Sequence, residues 1–380
     1  MDFKLTEREE LLRKTIREYA EKEITPHMDA MEETGEFPMD LLKGMGAMGI
    51  LGVITSTEYG GTGMGHLARI IVLEELGRVC AAIPMSLQVH HMCTYALGMW
   101  GNEDQKKKYL PPLAKGDSLG VVAVTEPSGG SDVAGMQSTA KLEGDKYILN
   151  GRKCFATNSH VSDTWVIIAR TGEGGKGLSA FIVEKDFPGA KLGRKENKVG
   201  LRGANTGELA FQDCEVPKEN LLGNEGEGMT IAIRDIVECG RPGMASVALG
   251  ILNAVLVEAV KFASDRVLFG KPITKLQAIQ WHIAEIYSDL EIARLLAYRV
   301  GWMLDQDMRV DSAAVLAKQW ICEAAARSAR KAIEIHGSYG IMKEYPVQRL
   351  LRDALVTIPA GGTAEIGKLV LSREGMKAAG

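Results

Sequence analysis

Apolar positions fall into three textures along the chain, and each predicts a different kind of element. Over residues 1–117 they recur every three or four positions, the spacing of one helix face. Thr6 stands as a helix cap with Glu9 three positions on, a capping-box pattern, and Leu11, Leu12, Ile16 and Tyr19 follow in phase. "GHLARIIVLEELGRVCAA", "MSLQVHHMCTYALGMWG" and "NEDQKKKYLPPLAKG" continue in this style, which predicts an N-terminal α-helical domain. Over 118–226, short β-branched runs such as "DTWVIIARTG" and "LSAFIVEKD" sit between turn residues, and "LEGDKYILNG" reads as a hairpin about Gly144–Asp145. No helix is left over for βαβ crossovers, so an antiparallel sheet or barrel is expected there. Over 227–380, three long helical segments and a short fourth, closed by short loops, predict a four-helix bundle.

Composition narrows the partners. The chain has 380 residues with 45 Lys+Arg against 49 Asp+Glu, a net charge of −4. Nucleic-acid binding, which leaves a basic footprint, is not expected. The six cysteines are scattered without a C-x-x-C pair, so neither a metal site nor a disulfide framework is expected. No run approaches the roughly 18 consecutive apolar residues of a membrane span. The N-terminus is charged from its first turn and lacks the pattern of a signal or transit peptide. The expectation is a soluble, cytoplasmic protein without metal or membrane.

The candidate chemistry lies in turns. "EYGGTGMGH" misses the dinucleotide fingerprint, because His66 stands where the third glycine is required. "VTEPSGGSD" (124–132) follows a strand, and its glycines let backbone N–H groups approach an anion or a flat heterocycle. Read alone, it is equally a surface turn. "FATN" (155–158) offers an aromatic face beside a hydroxyl. Arg266, in "SDRVLFGKPITKLQAIQ", has the donor fork to hold a phosphate, or simply neutralises a helix end. Near the end, "TIPAGGTAEI" (357–366) places two glycines and a threonine before a helix, a turn suited to an anion or cofactor.

Taken in order, "VTEPSGGSDVAG", "YILNGRKCFATN", "GRPGMASVALG", "ASDRVLFGKPITKLQAIQ", "IHGSYGIMKEYPVQRLLRDA" and "GGTAEI" resemble one family across nearly the whole chain: the flavin-dependent acyl-CoA dehydrogenases. The resemblance implies a helical N-terminal domain (1–117), a central β-barrel (118–226) and a C-terminal four-helix bundle (227–380). It also implies a homotetramer with each FAD shared between two subunits, and an electron-transfer flavoprotein as acceptor. Matched motif by motif, the flavin ring would lie on Val122, Val124 and Thr125, near Ser131. Phe155, Ala156 and Thr157 would flank it, with phenylalanine where tryptophan is usual. Arg266, Phe269, Gln277, Glu334, Gly337 and Ser338 would hold the pyrophosphate and adenosine from the neighbouring subunit, and Thr363 and Glu365 match further FAD positions. Ser131, Glu238, Arg241, Gly361 and Gly362 match positions on the acyl-CoA side.

The family's reaction needs a carboxylate to take the α-proton. Most members carry it one residue before the Gly–Thr pair that aligns with Gly362–Thr363; here that residue is Gly361. A smaller group carries it immediately before the arginine matching Arg241; here that residue is Gly240. Three readings follow. In the first, a dehydrogenase has a displaced base. Leu87, His90, His91 and Thr94 share a helical face in the segment lining the acyl end, and His91, ahead of His90, is the nominee. That placement suits a cyclic or already unsaturated acyl group, such as a cyclohexene-carboxyl-CoA. In the second, a C–S lyase of the desulfinase type needs no base but wants an arginine in the pocket, and residues 81–91 contain none. In the third, the chain is a non-catalytic flavin- and CoA-binding relative.

Overall fold

The computed structural model describes residues 4–380. The capping box forms as the pattern predicts: Thr6 Oγ1 accepts the Glu9 N–H at 3.3 Å, and Glu9 Oε2 accepts the Thr6 N–H at 2.6 Å. This starts α1 (Glu7–Tyr19), which leads into α2 (Met28–Thr34), α3 (Leu41–Ala47), α4 (His66–Val79), α5 (Ala82–Trp100) and α6 (Glu103–Ala114). Helices α4 and α5 are buried on almost every face. Their polar residues therefore point into protein, and several of them matter below.

The middle strands are β1 (Gly120–Ala123), β2 (Thr139–Glu143), β3 (Lys146–Thr157), β4 (Thr164–Arg170), β5 (Leu178–Glu184), β6 (Ala190–Lys195), β7 (Thr206–Pro217) and β8 (Leu221–Leu222). The hairpin stands where expected: Glu143 pairs Lys146 around Gly144, whose φ of 65° suits the turn. Two expectations are corrected. The sheet is not a closed barrel; it runs β6–β7–β3–β2–β4–β5–β8 and stays open. Nor is it wholly antiparallel, because β1 pairs β4 in parallel. The reason is local: β2 and β4 share a single pair, Thr139 with Arg170, so two half-sheets hinge there. Aromatic rings fill the space between the halves. Tyr147 meets Phe181 at 4.9 Å between centroids, and Trp165 meets Phe211 at 6.3 Å.

The C-terminal helices are α7 (Gly228–Asp235), α8 (Arg241–Asp265), α9 (Gln277–Asp305), α10 (Asp311–His336), α11 (Val347–Thr357) and α12 (Ala364–Ala378). Helices α8 to α11 share one alanine-rich core, and α12 runs against α10. A single π-turn, Ile236–Gly240, splices α7 to α8. Pro242 accounts for it: proline cannot donate to the carbonyl four residues back and clashes with it, and widening the helix by one residue relieves both. The spliced helix Gly228–Asp265 is long and apolar enough to cross a membrane, but 78% of its most apolar window is buried in this fold, as a core helix is.

Candidate functional site

The turn before α12 sits directly on the π-turn. Thr363 caps α12 by accepting the Ile366 N–H, and Gly361 and Gly362 precede it at φ 70° and 109°, a left-handed stretch that disfavours side chains. Beneath, the almost fully buried Lys318 donates to the carbonyls of Ile358 and Gly362 and pins the turn. A Cβ on Gly361 would lie 3.8 Å from the Gly240 carbonyl oxygen, and one on Gly362 would lie 3.9 Å from Arg241 Nε. The two positions that align with the family's carboxylates are thus neighbours in space, and both are bare. Arg241 is half-buried and makes no hydrogen bond or ion pair among the described residues; burial lowers its pKa. Glu238, one turn earlier, is held by Tyr95 Oη at 2.5 Å and by Arg234. The arrangement offers a cation and a close-approach turn, with no acid or base at position 240 or 361.

A second surface lies along β1 and β3. The Cys154 N–H donates to the Thr125 carbonyl at 2.9 Å, which sets Val122, Val124 and Thr125 beside Phe155, Ala156 and Thr157. The β3–β7 register slips between Lys153 and Ala156, a bulge that holds Phe155 at φ 56° and leaves its ring 64% exposed. Below the loop, buried Lys153 pairs with buried Glu126 at 2.7 Å, and Glu126 also accepts the N–H groups of Gln137 and Ser138. Burial would raise the Glu126 pKa, but Lys153 and these donors outweigh it and hold it at about 2. Ser131 is exposed in the same loop.

The remaining cofactor candidates gather at the far end of α8. Arg266 lies over the Tyr339 ring at 5.5 Å, Phe269 tips a hairpin with 88% exposure, and Gln277 opens α9. Glu334 faces His282 at 3.7 Å, and Gly337 and Ser338 follow it, exposed. Helix α8 has 25 residues, so Arg241 and Arg266 stand about 37 Å apart at 1.5 Å per residue. Thr363 and Glu365 stay with the Arg241 end. The candidate residues thus fall into two groups at opposite ends of α8.

The histidine expectation is overturned. His91 is fully buried, its Nε2 donates to the Ile50 carbonyl at 2.9 Å, and its Nδ1 accepts from Arg69 Nε at 3.3 Å. Burial, then Arg69, pushes its pKa well below the ordinary value. Neither ring nitrogen is available to a substrate, so His91 is not the base. His90 is also fully buried: Nδ1 accepts the Gly120 N–H, Nε2 has no partner among the described residues, and burial lowers its pKa to about 4. Two residues escaped the reading of the sequence. Arg69, inside the apolar run "LARIIVLEELG", and Asp235, just before the π-turn, are both buried beside this region. Charged residues, Arg69 with Glu74 and Glu75, set among the apolar positions of α4 were the available signal.

Residues 6–117, 121–214 and 226–376 match, in turn, the N-terminal, middle and C-terminal domains described as acyl-CoA dehydrogenase. The chain is a flavin-dependent oxidoreductase acting on CH–CH groups. It belongs to the acyl-CoA dehydrogenase family, and FAD is its cofactor. It is 42% identical to the short-chain specific acyl-CoA dehydrogenase of Clostridium acetobutylicum, over 98% of this chain and 99% of that one. Among solved structures it is similar to one described as the electron transferring flavoprotein of Acidaminococcus fermentans, with 40% identity, a TM-score of 0.96 and 98% and 99% coverage. It is also similar to an FAD complex of PigA, with 29% identity, a TM-score of 0.93 and 98% and 99% coverage. The residues present fit FAD: the outward Phe155 ring and the β1 edge suit a planar ring system, and exposed Arg266 suits a diphosphate.

Proposed function

We propose that the chain oxidises a short acyl-CoA thioester, with the acyl proton taken by a base displaced from both glycine positions. FAD, when bound, supplies the hydride acceptor. Val122, Val124, Thr125, Phe155, Ala156 and Thr157 bear the ring. Arg266, Phe269, Gln277, Glu334, Gly337 and Ser338 serve the diphosphate and adenosine of the neighbouring copy, since about 37 Å of helix separates the half-sites; a homotetramer supplies the pairing. Arg241, with Ser131, Glu238, Gly361 and Gly362, receives the CoA side. An electron-transfer flavoprotein is the acceptor that the likeness to the Acidaminococcus structure supports.

One observation carries the displaced base: Gly361 and Gly240 meet beside Arg241 without a carboxylate between them. A cyclic or already unsaturated acyl group, losing its proton beyond C2 by 1,4-elimination, fits that bare turn better than a saturated straight chain. Anaerobic titration of the holoenzyme, followed by flavin absorbance, tests this. Bleaching by cyclohexene-carboxyl-CoA but not by butyryl-CoA is expected; rapid bleaching by butyryl-CoA would refute the displaced base.

A second reading gains from one observation. The arginine missing from residues 81–91 is supplied by α4 as Arg69, which removes the objection to a C–S lyase acting on a sulfinated acyl-CoA. Sulfite release without net flavin reduction would select it.

A further inference from the structure

Between the end of α2 and the loop joining β6 to β7 lies a cavity of about 280 Å³. Thr34 and Gly35 line it from α2, and Lys195, Lys198, Arg202 and Asn205 from the loop. Lys198 and Arg202 have no carboxylate partner among the described residues. Lys198 is half-buried, and its Nζ donates to the Ala204 carbonyl at 2.5 Å. The Arg202 guanidinium donates to the carbonyls of Glu32 and Glu33 and to Asn197 Oδ1, with further N–H groups of its fork left over. Glu196, the acid among the lining residues, is taken by Arg194 at 2.6 Å, and Lys195 is paired with Glu36. The cavity wall therefore carries two uncompensated cations.

Asn205 points to a ligand independently of the charges. It is 1% exposed, and its Oδ1 accepts the His160 N–H at 2.8 Å and the Ser159 hydroxyl at 3.3 Å. Those two donors fix which end of the amide is oxygen. Nδ2 is thereby turned away from them, and it has no partner among the described residues. A buried donor left unmet in a native fold has a reason. The electrostatics agree. Burial lowers the Lys198 pKa to about 8, Lys195 and then Arg202 add to it, and Asp353 and Glu196 oppose them less. The loop is also fastened in place. Arg352 donates to the Val199 carbonyl at 3.0 Å, and Asp353 accepts the Leu201 N–H at 2.5 Å. Leu201, between the two cations, is held at φ 50°, which persists in a leucine only where its surroundings over-determine it.

We propose that this cavity binds a doubly charged tetrahedral oxyanion, either free phosphate or the phosphate monoester of a larger ligand, held by Lys198, Arg202 and Asn205. Such a group accepts hydrogen bonds on several oxygens at once, and the cavity offers ammonium, guanidinium and amide N–H donors to meet them. Its two negative charges match the two cations that lack partners. The site lies apart from the candidate ring, diphosphate and thioester residues, none of which lines it. It therefore stands whether or not the displaced-base reading does.

The test is calorimetric titration of the FAD holoenzyme with sodium phosphate, in the presence of saturating CoA so that the Arg241 side is already filled. One phosphate per chain should bind, with a dissociation constant below ~1 mM. Asn205→Asp keeps an oxygen for Ser159 and His160 and sets a second where Nδ2 stood, so it should fold and weaken phosphate at least ~10-fold. Lys198→Met should weaken it by a similar factor; should one variant fail to fold, the other carries the comparison. AMP, titrated in the same way, separates the two sources. Binding tighter than phosphate assigns the site to a monoester on a larger ligand, and weaker binding assigns it to the free anion. No saturable binding of either probe, or binding that a folded variant leaves unchanged, would overturn the site and leave Asn205 Nδ2 to solvent.

Discussion

Gly361 and Gly240 face each other across the turn before α12, with the Cβ position of one 3.8 Å from the carbonyl oxygen of the other. Two alternative seats for one catalytic group should adjoin, because both must reach the same carbon of a ligand held on the same turn. Their proximity also makes the missing group replaceable.

Gly240→Glu should restore a base. Gly240 has helical φ of −66°, and the nearest obstacle is the tip of Met92, which can shift by the few tenths of an ångström required. Glutamate for glycine in a helix gains about 1 kcal/mol in propensity, which offsets that repacking. Flavin reduction by butyryl-CoA under anaerobic stopped-flow should rise at least ~10-fold over the parent, a gain of about 1.4 kcal/mol in barrier. Gly361→Glu offers the same chemistry but at φ 70°, with a strain of roughly 1–2 kcal/mol. A normally folded Gly240→Glu that binds butyryl-CoA and reduces no faster would show that the two positions do not address the reacting carbon.

His91→Ala should damage stability and spare the chemistry. The substitution strips the Ile50 carbonyl and Arg69 Nε of their partner inside the protein. Unsatisfied buried groups cost about 1–3 kcal/mol each, so the melting temperature should fall by several degrees. The rate of flavin reduction at 25 °C, measured on protein that remains folded, should stay within about two-fold of the parent, because neither ring nitrogen reaches the turn. A ten-fold slower rate without loss of stability would restore His91 as a base.

Much of this architecture was legible because it is written locally. The Thr6–Glu9 box, the Gly144–Asp145 hairpin and the helix–strand–helix order each follow from a few adjacent residues. Tertiary facts were not. The helical face shared by Leu87, His90, His91 and Thr94 was read correctly as a face, but periodicity cannot say whether a face meets a cavity or a neighbouring loop; here His91 meets Ile50. The open sheet depends on β2 and β4 sharing one pair, a matter of register between distant strands. The π-turn was foreshadowed by Pro242, which usually marks a helix start and here sits inside a continuous one. Arg69 and Asp235 lie 166 positions apart, and nothing in one sequence couples them.

Buried neutral histidines should set the acid limit of the fold. His66 is lowered to about 3 by burial, with Arg69 adding to it; His90 is lowered to about 4 by burial; His91 is lowered well below its ordinary value by burial, then by Arg69. All three folded pKa values lie below the unfolded one of about 6.5, so the unfolded state binds more protons as pH falls. Stability should be fully present above pH ~6.5 and drop progressively from there toward pH ~4, by at most about 1.4 kcal/mol per pH unit per histidine. Urea unfolding across this range, with proton uptake measured, checks the sign. Stability that rises on acidification below pH ~6 would contradict it.

The Lys153–Glu126 pair should prove indispensable as a pair yet replaceable as a whole. It lies beneath the loop that carries Thr125 and Ser131, with side chains 0% and 3% exposed. Lys153→Met would leave Glu126 charged and buried, at a cost of about 3–5 kcal/mol. Because Glu126 also accepts the Gln137 and Ser138 N–H groups, the loop should loosen, and FAD should be lost on gel filtration. The double change Lys153→Met with Glu126→Gln removes both charges and keeps an oxygen for those N–H groups. Most of the stability and flavin content should therefore return. A double variant no better than Lys153→Met would mean that the loop depends on the lysine's bond to the Val124 carbonyl instead.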